Sequence, residues 1–202
     1  SLNHPSTKNH VEIIQNYNIE DLLDQAGVKL GLPSSGNMAM FWAILLIHIN
    51  DFMEVNVDDQ INSWINYHRS SMNKFGFWGK SKNMNYLMFQ NGYHQYEIFD
   101  YLEISGDFWN KASTNTNSLK DADSRFAPYP GGGGCYDYDA LYLLTSSNKN
   151  LDFDKTITDL FNSVVNSQNK DGGFCESKNV RPRNFANMRK AFKHLSSRPL
   201  GN

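Results

Sequence analysis

The sequence predicts an all-α protein built from helical-hairpin repeats. Two observations support this prediction: apolar residues recur at helical spacing along most of the chain, and one loop sequence occurs twice. No segment shows the alternation between turn signals that is typical of a half-buried strand. We therefore expect layers of helices joined by glycine-rich loops, in one domain over residues 1–202. That domain is either complete in itself or a fragment of a larger protein.

The repeated loop comprises residues 73–83 and 169–179, which align without a gap at an offset of 96 residues. Six of the eleven aligned positions are identical, and a helix-like segment that carries Asn-Ser precedes each copy. Glycines allow a sharp turn, so each copy is predicted to link an outer amphipathic helix to an inner apolar helix. The aromatic residues predicted to fill the space between the layers are Phe77, Trp78 and Phe174.

Helical periodicity predicts a series of helices with a polar loop over residues 109–127. The serines of residues 33–36 are expected to cap the second helix, which is apolar all round and therefore expected to be buried on every side. The fourth helix is expected to break near Gly92. The predicted helices span residues 11–26, 38–49, 57–67, 86–102, 136–144, 153–167 and 184–195.

The inner helices begin near Asn37, Tyr93, Tyr136 and Asn184, at intervals of roughly 45 to 55 residues. In a layered array their N-termini lie at one end. Helix N-termini offer free N–H groups and loops carry most sites, so we expect any pocket at this end.

Composition limits the function. A net charge of −2 argues against general nucleic-acid binding, which usually requires a basic surface. The longest apolar run, residues 38–47, is about half the length of a membrane span. Two cysteines do not make a disulfide framework, so a reduced, cytoplasmic setting is expected.

The segment Gln168-Asn-Lys-Asp-Gly-Gly-Phe174 resembles the Gln…Asp-Gly-Gly-Phe motif of α/α toroids, notably terpenoid cyclases and protein prenyltransferases. In that superfamily the motif links an outer helix to the next inner helix. Residues 135–144 are similar to the start of their inner helices. The resemblance implies a toroid-like array. A complete toroid needs about twelve helices and this chain has room for about seven to eight, so the expected ring is open or incomplete.

The motifs that carry activity in that superfamily are incomplete here. Asp137-Tyr-Asp139 is followed by Ala140, whereas class II terpene cyclases use an Asp-x-Asp-Asp acid motif. Cys135-x-Asp137 reverses the Asp-x-Cys zinc pair of prenyltransferases, and no Asp-Asp-x-x-Asp motif is present. These differences argue against an isoprenoid substrate.

The strongest candidate site is the glycine run and helix start at residues 131–139. Consecutive glycines let the backbone approach a ligand closely, and two carboxylates in a first helical turn suit sugar hydroxyls or acid–base chemistry. We therefore consider Asp137 and Asp139 as catalytic residues. The alternative is that both carboxylates only complement the helix dipole.

His94 begins the preceding inner helix, where Tyr93 aligns with Tyr136 and His94 aligns with Asp137. A histidine beside a carboxylate can act as a general base, so His94 is the third catalytic candidate; it can equally be a hydrogen-bonded core residue. The aromatic candidates for ligand binding are Trp78, Tyr93 and Tyr136.

Cys135, Asp137 and His94 are residue types that bind zinc, but their spacing matches no zinc motif, so we predict no metal or other cofactor. Arg181 and Arg183 precede the last helix and can pair with an anionic ligand. Alternatively, the basic C-terminal stretch is a solvated face or a contact surface for another subunit or a missing domain.

Two functions remain open. The first is an enzyme that acts on a glycan or a related polar metabolite, with aromatics stacking on the ligand and the carboxylates and histidine handling protons. The second is a non-catalytic binding or assembly module that uses its concave face or its basic end. Because an open array with apolar ends needs caps or a partner, a homodimer is expected.

Overall fold

The computed structural model describes residues 14–53, 55–129, 133–146, 152–168 and 170–174. Within these ranges the protein is all-α, as predicted, and its only β-type pairing is an isolated bridge between Gln168 and Phe174. None of the described helices combines the length and the hydropathy that crossing a membrane requires. The helices are α1 (Ile19–Gln25), a short 3-10 helix (Val28–Leu30), α2 (Ser35–Phe52), α3 (Asp58–Ser71), α4 (Tyr86–Tyr101), α5 (Phe108–Asn117), α6 (Gly134–Thr145) and α7 (Asp154–Val165).

The chain divides into two compact units. The first unit comprises residues 1–73, 77–80 and 91–105, and the second comprises residues 74–76, 81–90 and 106–202. The division falls within α4, between Gln90 and Asn91. Helices α1, α2 and α3 belong to the first unit, whereas α5, α6 and α7 belong to the second.

The predicted first helix is interrupted by a cap. Residues 14–16 are helical, and α1 then begins at Ile19. Asn18 has an extended backbone, and its side-chain oxygen accepts a hydrogen bond from the Glu20 N–H at 2.9 Å. A capping residue with an extended backbone marks the start of a new helix, so the continuous helix predicted over residues 11–26 is wrong. Residues 11–13 lie outside the described part.

Helix α2 begins against α4 rather than at a serine cap. Ser34 has a φ of +65° and its side chain makes no capping hydrogen bond, so the predicted serine cap is wrong. Instead, the Asn91 side-chain oxygen accepts from the Gly36 N–H at 3.4 Å, and Gln95 Nε2 donates to the Gly36 carbonyl at 2.9 Å. A Cβ atom at Gly36 would lie 2.0 Å from the Asn91 carbonyl oxygen, so only glycine fits this helix contact.

Two aromatic residues of the first copy of the repeated loop are buried. Phe77 and Trp78 are buried within the first unit, and Trp78 Nε1 donates to the His68 carbonyl at 2.8 Å. Gly92 leaves room for the Phe77 ring, since a Cβ atom there would lie 2.3 Å from it. Helix α4 therefore continues through Gly92, and the predicted break is wrong. Phe174 in the second copy is exposed and does not fill a space between layers.

Helix α5 occupies residues that the sequence analysis assigned to a long loop. Its buried side consists of the small residues Ala112, Ser113 and Thr116, so the sequence lacks the periodic large apolar residues that predict a helix. The Ser113 hydroxyl contacts the carbonyl oxygens of Trp109 at 2.8 Å and Leu143 at 2.6 Å, which satisfies a polar group inside the α5–α6 contact.

The remaining predicted helices agree with α3, α4, α6 and α7 to within a few residues. The predicted helix over residues 184–195 lies outside the described part.

Candidate functional site

Asp137 lies in the first turn of α6, and protein groups hold both of its side-chain oxygens. Arg125 donates to Oδ2 through Nε and Nη2, each at 2.6 Å, and the Phe126 N–H donates to Oδ1 at 2.9 Å. Both side chains of the pair are buried. Burial raises the pKa of Asp137, while the hydrogen bonds from Arg125 and Phe126 oppose that shift. The carboxylate is therefore part of the internal structure of the second unit.

Arg125 extends this network to α7. Its Nη1 donates to Ser167 Oγ at 3.0 Å and approaches the Ser163 carbonyl at 3.4 Å. Asp121 Oδ1 accepts from the backbone N–H of Arg125 at 2.8 Å, which fixes the loop that presents the guanidinium. One arginine thus joins the loop before α6, the first turn of α6 and the end of α7. Sequence pattern alone does not reveal Arg125, because it falls in a polar stretch that predicts a loop.

The other residues around the start of α6 differ in exposure. Asp139 is buried, whereas Cys135 is exposed and forms no disulfide. Tyr136 is partly exposed and its ring makes an edge contact with Tyr129, with centroids 6.1 Å apart. Gly131 and Gly132 lie outside the described part, so the glycine run is seen only through Gly133 and Gly134.

Tyr93 and His94, both predicted as site residues, meet a third side chain on α4. The Tyr93 hydroxyl donates to Glu97 Oε1 at 2.6 Å, and His94 Nδ1 lies 3.4 Å from Glu97 Oε2. Tyr93 is buried, while His94 and Glu97 are partly exposed. Glu97 was not predicted, although its spacing of three and four residues from His94 and Tyr93 is the helical signal that identifies it.

His68 lies at the centre of an aromatic cluster in the first unit. Its ring lies tilted by 32° against the Trp64 ring, with centroids 3.9 Å apart, and contacts Trp78 and Phe99 edge-on. Nδ1 is 2.8 Å from the Trp64 carbonyl, so this nitrogen carries the proton, and Nε2 has no partner among the described residues. Burial lowers the pKa of His68 to about 3. Trp78, predicted to bind a ligand, is a buried member of this cluster.

The predicted catalytic residues belong to different units. His94 lies in the first unit, and Asp137 and Asp139 lie in the second. No group of three or more histidine, cysteine or acidic side chains is arranged to hold a metal ion in the described part of the chain, which includes Cys135. Arg181 and Arg183 lie outside the described part, so their predicted role remains a prediction.

The side of α2 that faces away from the core is apolar and exposed. The prediction that this helix is buried on every side is wrong: Ala39, Ala43 and Leu46 face inward, but the opposite side is open to solvent. We call this open side the α2 face. Its exposed fractions lie between 37% and 62% for five large apolar side chains: Met38, Phe41, Ile44, Leu45 and Phe52.

The polar residues on the α2 face are few. His48 is exposed and stacks on Phe52 with centroids 5.2 Å apart, and Asp51 accepts a hydrogen bond from the Tyr101 hydroxyl at 3.1 Å. No Lys, Arg, Asp or Glu occurs between Ser35 and Asn50. In the sequence this face is visible as residues spaced three or four apart from Met38 to Phe52. The buried side of α2 forms a second apolar stripe, so the sequence does not show which of the two is exposed.

Comparison of the chain with protein-family models, with curated proteins and with solved structures finds no match in any of the three.

Proposed function

We propose that this protein is a non-catalytic binding or assembly module of an α/α-toroid-like helical-repeat type, and that it binds its partner through the α2 face. The observation that carries this proposal is the exposure of five large apolar side chains along one helix. With aromatic side chains of roughly 150–250 Å² each and aliphatic ones somewhat smaller, the exposed fractions amount to roughly 500 Å² of apolar surface. Patches of roughly 300–600 Å² on a monomer are often functional.

The α2 face is supported by a rigid inner side. Gly36 is clamped to α4 by Asn91 and Gln95, and the opposite side of α2 packs its alanines and leucine in the core. Such a surface is already ordered before a partner arrives, so less side-chain and backbone entropy is lost on binding.

The buried network around Asp137 also supports a structural rather than a catalytic role for that residue. A general acid or base must reach the proton that it transfers. Both oxygens of Asp137 instead accept hydrogen bonds from Arg125 and Phe126 in the interior. Asp137, the strongest catalytic candidate in the sequence, therefore helps to hold α6 and α7 together.

The test is whether the α2 face is solvent-exposed in the folded, dilute protein. We expect the double variant Phe41→Ser/Phe52→Ser, at about 1 µM, to keep the melting temperature of the parent within about 2 °C. It should also bind less of a fluorescent apolar dye. Phe161→Ser is the matched control, because Phe161 is an equally exposed phenylalanine on α7. A fall in melting temperature of more than about 5 °C for the double variant alone would show that the face is covered, and would contradict the proposal.

A second candidate function is favoured by the cluster on α4. Glu97 can orient His94 and Tyr93 for acid–base chemistry on a glycan or a related polar metabolite. We expect a ligand of this class to shift the His94 imidazole NMR signals, and Glu97→Gln to weaken its turnover while the fold is retained. Unchanged His94 signals across a panel of soluble glycans would count against this candidate.

A further inference from the structure

We propose that the α2 face binds the α2 face of a second copy of this chain, with the two helices antiparallel about a two-fold axis. This inference rests on the proposed binding function and names the partner. The partner is argued from the spacing of the exposed residues, from the lack of charge on the face and from its area.

The exposed residues of α2 follow a heptad seam. Met38, Phe41, Leu45, His48 and Phe52 are separated by three, four, three and four residues. All five are exposed, so the seam lies on the open side of the helix. A seam with a mean spacing of 3.5 residues is the pattern that packs along another α-helix, with each side chain fitting between those of its partner.

The seam is complementary to itself in the antiparallel orientation. With the two-fold axis between Leu46 and Ile47, in the C-terminal half of α2, Phe41 of each copy meets Phe52 of the other and Leu45 meets His48. Both pairs bring an aromatic or aliphatic side chain against another ring or aliphatic group, whereas Met38 lies beyond the end of the other copy's α2. Each contact occurs twice, as an isologous dimer requires.

The parallel orientation is disfavoured by the same residues. It places His48 opposite His48 and sets the two Asp51 carboxylates at the same end. It also aligns the two helix dipoles, which costs energy when helices lie side by side. The antiparallel pair separates the two Asp51 side chains and opposes the dipoles.

The charge and the area of the face favour a second copy over other partners. No charged residue occurs between Ser35 and Asn50, so the face lacks the basic residues typical of helices that bind anionic membranes. Two such faces bury at most about 1,000 Å² together, which is at the lower limit for a specific interface. We therefore expect a reversible dimer with a dissociation constant of roughly 1–100 µM.

The experiment is sedimentation velocity of the full chain from about 1 to 500 µM. We expect a monomer–dimer equilibrium that Phe41→Glu weakens at least tenfold, because the carboxylate would be buried against Phe52 of the other copy. Phe161→Glu, the matched control on α7, should dimerise like the parent. A dimer that Phe41→Glu leaves unchanged would overturn the proposal, because another surface would then form it.

The orientation is tested by spin labels at Asn37, an exposed position beside the seam, in a background in which Cys135 and Cys175 are serine. The antiparallel pair separates the two labels by about 29 Å along the helix axes, whereas a parallel pair brings them to the same level. A short distance would overturn the antiparallel dimer.

Two further outcomes separate this inference from the proposed function. A protein that stays monomeric at 500 µM, but whose Phe41→Ser/Phe52→Ser variant keeps its dilute melting temperature, refutes the dimer and leaves a binding face for another partner. Binding of that monomer to phosphatidylcholine vesicles, lost in Phe41→Glu, would identify a lipid surface as the partner instead. A destabilised dilute variant refutes both proposals, because the face is then covered within one chain.

Discussion

Helices α2 and α6 both have a glycine in their first turn, Gly36 in α2 and Gly134 in α6. The start of α2 is held by neutral amide groups, Asn91 and Gln95, and by a backbone contact so close that no Cβ fits. At Gly134 a Cβ would meet nothing within 4 Å, and α6 is held instead by the buried ion pair of Asp137. A glycine at a helix start therefore does not reveal how the helix is anchored.

The largest expected effect comes from removing the charge that anchors α6. Asp137→Ala leaves Arg125 buried without its counterion, which should lower the free energy of unfolding by about 3–5 kcal/mol in urea denaturation. Replacing both partners by leucine should recover most of this loss. Asp123→Ala, at an exposed position in the same loop, is the control and should change stability by less than about 0.5 kcal/mol. A loss below 1 kcal/mol for Asp137→Ala would show that α6 is anchored by other contacts.

The anchor of α2 is expected to be sensitive to volume rather than charge. Gly36→Ala places a methyl group on the Asn91 carbonyl, so α2 and α4 must move apart. We expect a loss of about 3 kcal/mol, measured by urea denaturation at a protein concentration where the chain is monomeric. Near-parent stability would mean that the two helices can separate without loss of packing.

The first unit buries an ionisable side chain in its neutral form, whereas the second unit buries an ion pair. His68 is kept neutral by burial, with a pKa of about 3 against an ordinary value of 6.5. Its folded-state pKa is depressed, so its contribution to stability is present above pH 6.5 and is lost as the pH falls toward 3. The unfolded state binds one more proton in this window, which predicts a loss of about 1.4 kcal/mol per pH unit. His68→Phe should remove that component from the pH dependence of unfolding; an identical slope in parent and variant would contradict it.

The smallest expected effect is that of substituting Gly134, which unlike Gly36 has open space around it. Gly134→Ala adds a methyl group where there is open space and reduces the freedom of the unfolded chain. We expect stability to rise by up to about 1 kcal/mol, seen as a small increase in melting temperature. Destabilisation would indicate that Gly134 needs a conformation that alanine cannot adopt.

The helical class and most helix positions could be predicted because amphipathic segments such as α3 and α7 carry their own periodic signal. Helix α5 was missed since its buried side is made of Ala112, Ser113 and Thr116, whose burial depends on α6 and on the hydroxyl of Ser113. The open side of α2 was missed for the opposite reason. Both of its sides are apolar, and only the tertiary arrangement decides which one the protein covers.

The candidate site illustrates a similar limit. Residue type singled out Asp137, but its function depends on Arg125, which lies in a polar stretch that gives no sign of burial. Tyr93 and His94 lie in the middle of α4, which begins at Tyr86, so the prediction that an inner helix begins near Tyr93 is wrong. The helical spacing over residues 86–102 nevertheless places both residues on one helix. Their partner Glu97 follows from the same spacing.

The clamp between Gly36 and Asn91 also has a consequence for the order of synthesis. These residues are 55 positions apart, so the ribosome takes about 3–11 s to make the second after the first. During this interval the inner side of α2 lacks its contact with α4, and the α2 face is exposed as well. The nascent chain is therefore most exposed to aggregation at this stage, and the yield of folded protein should depend on the rate of translation across residues 53–91.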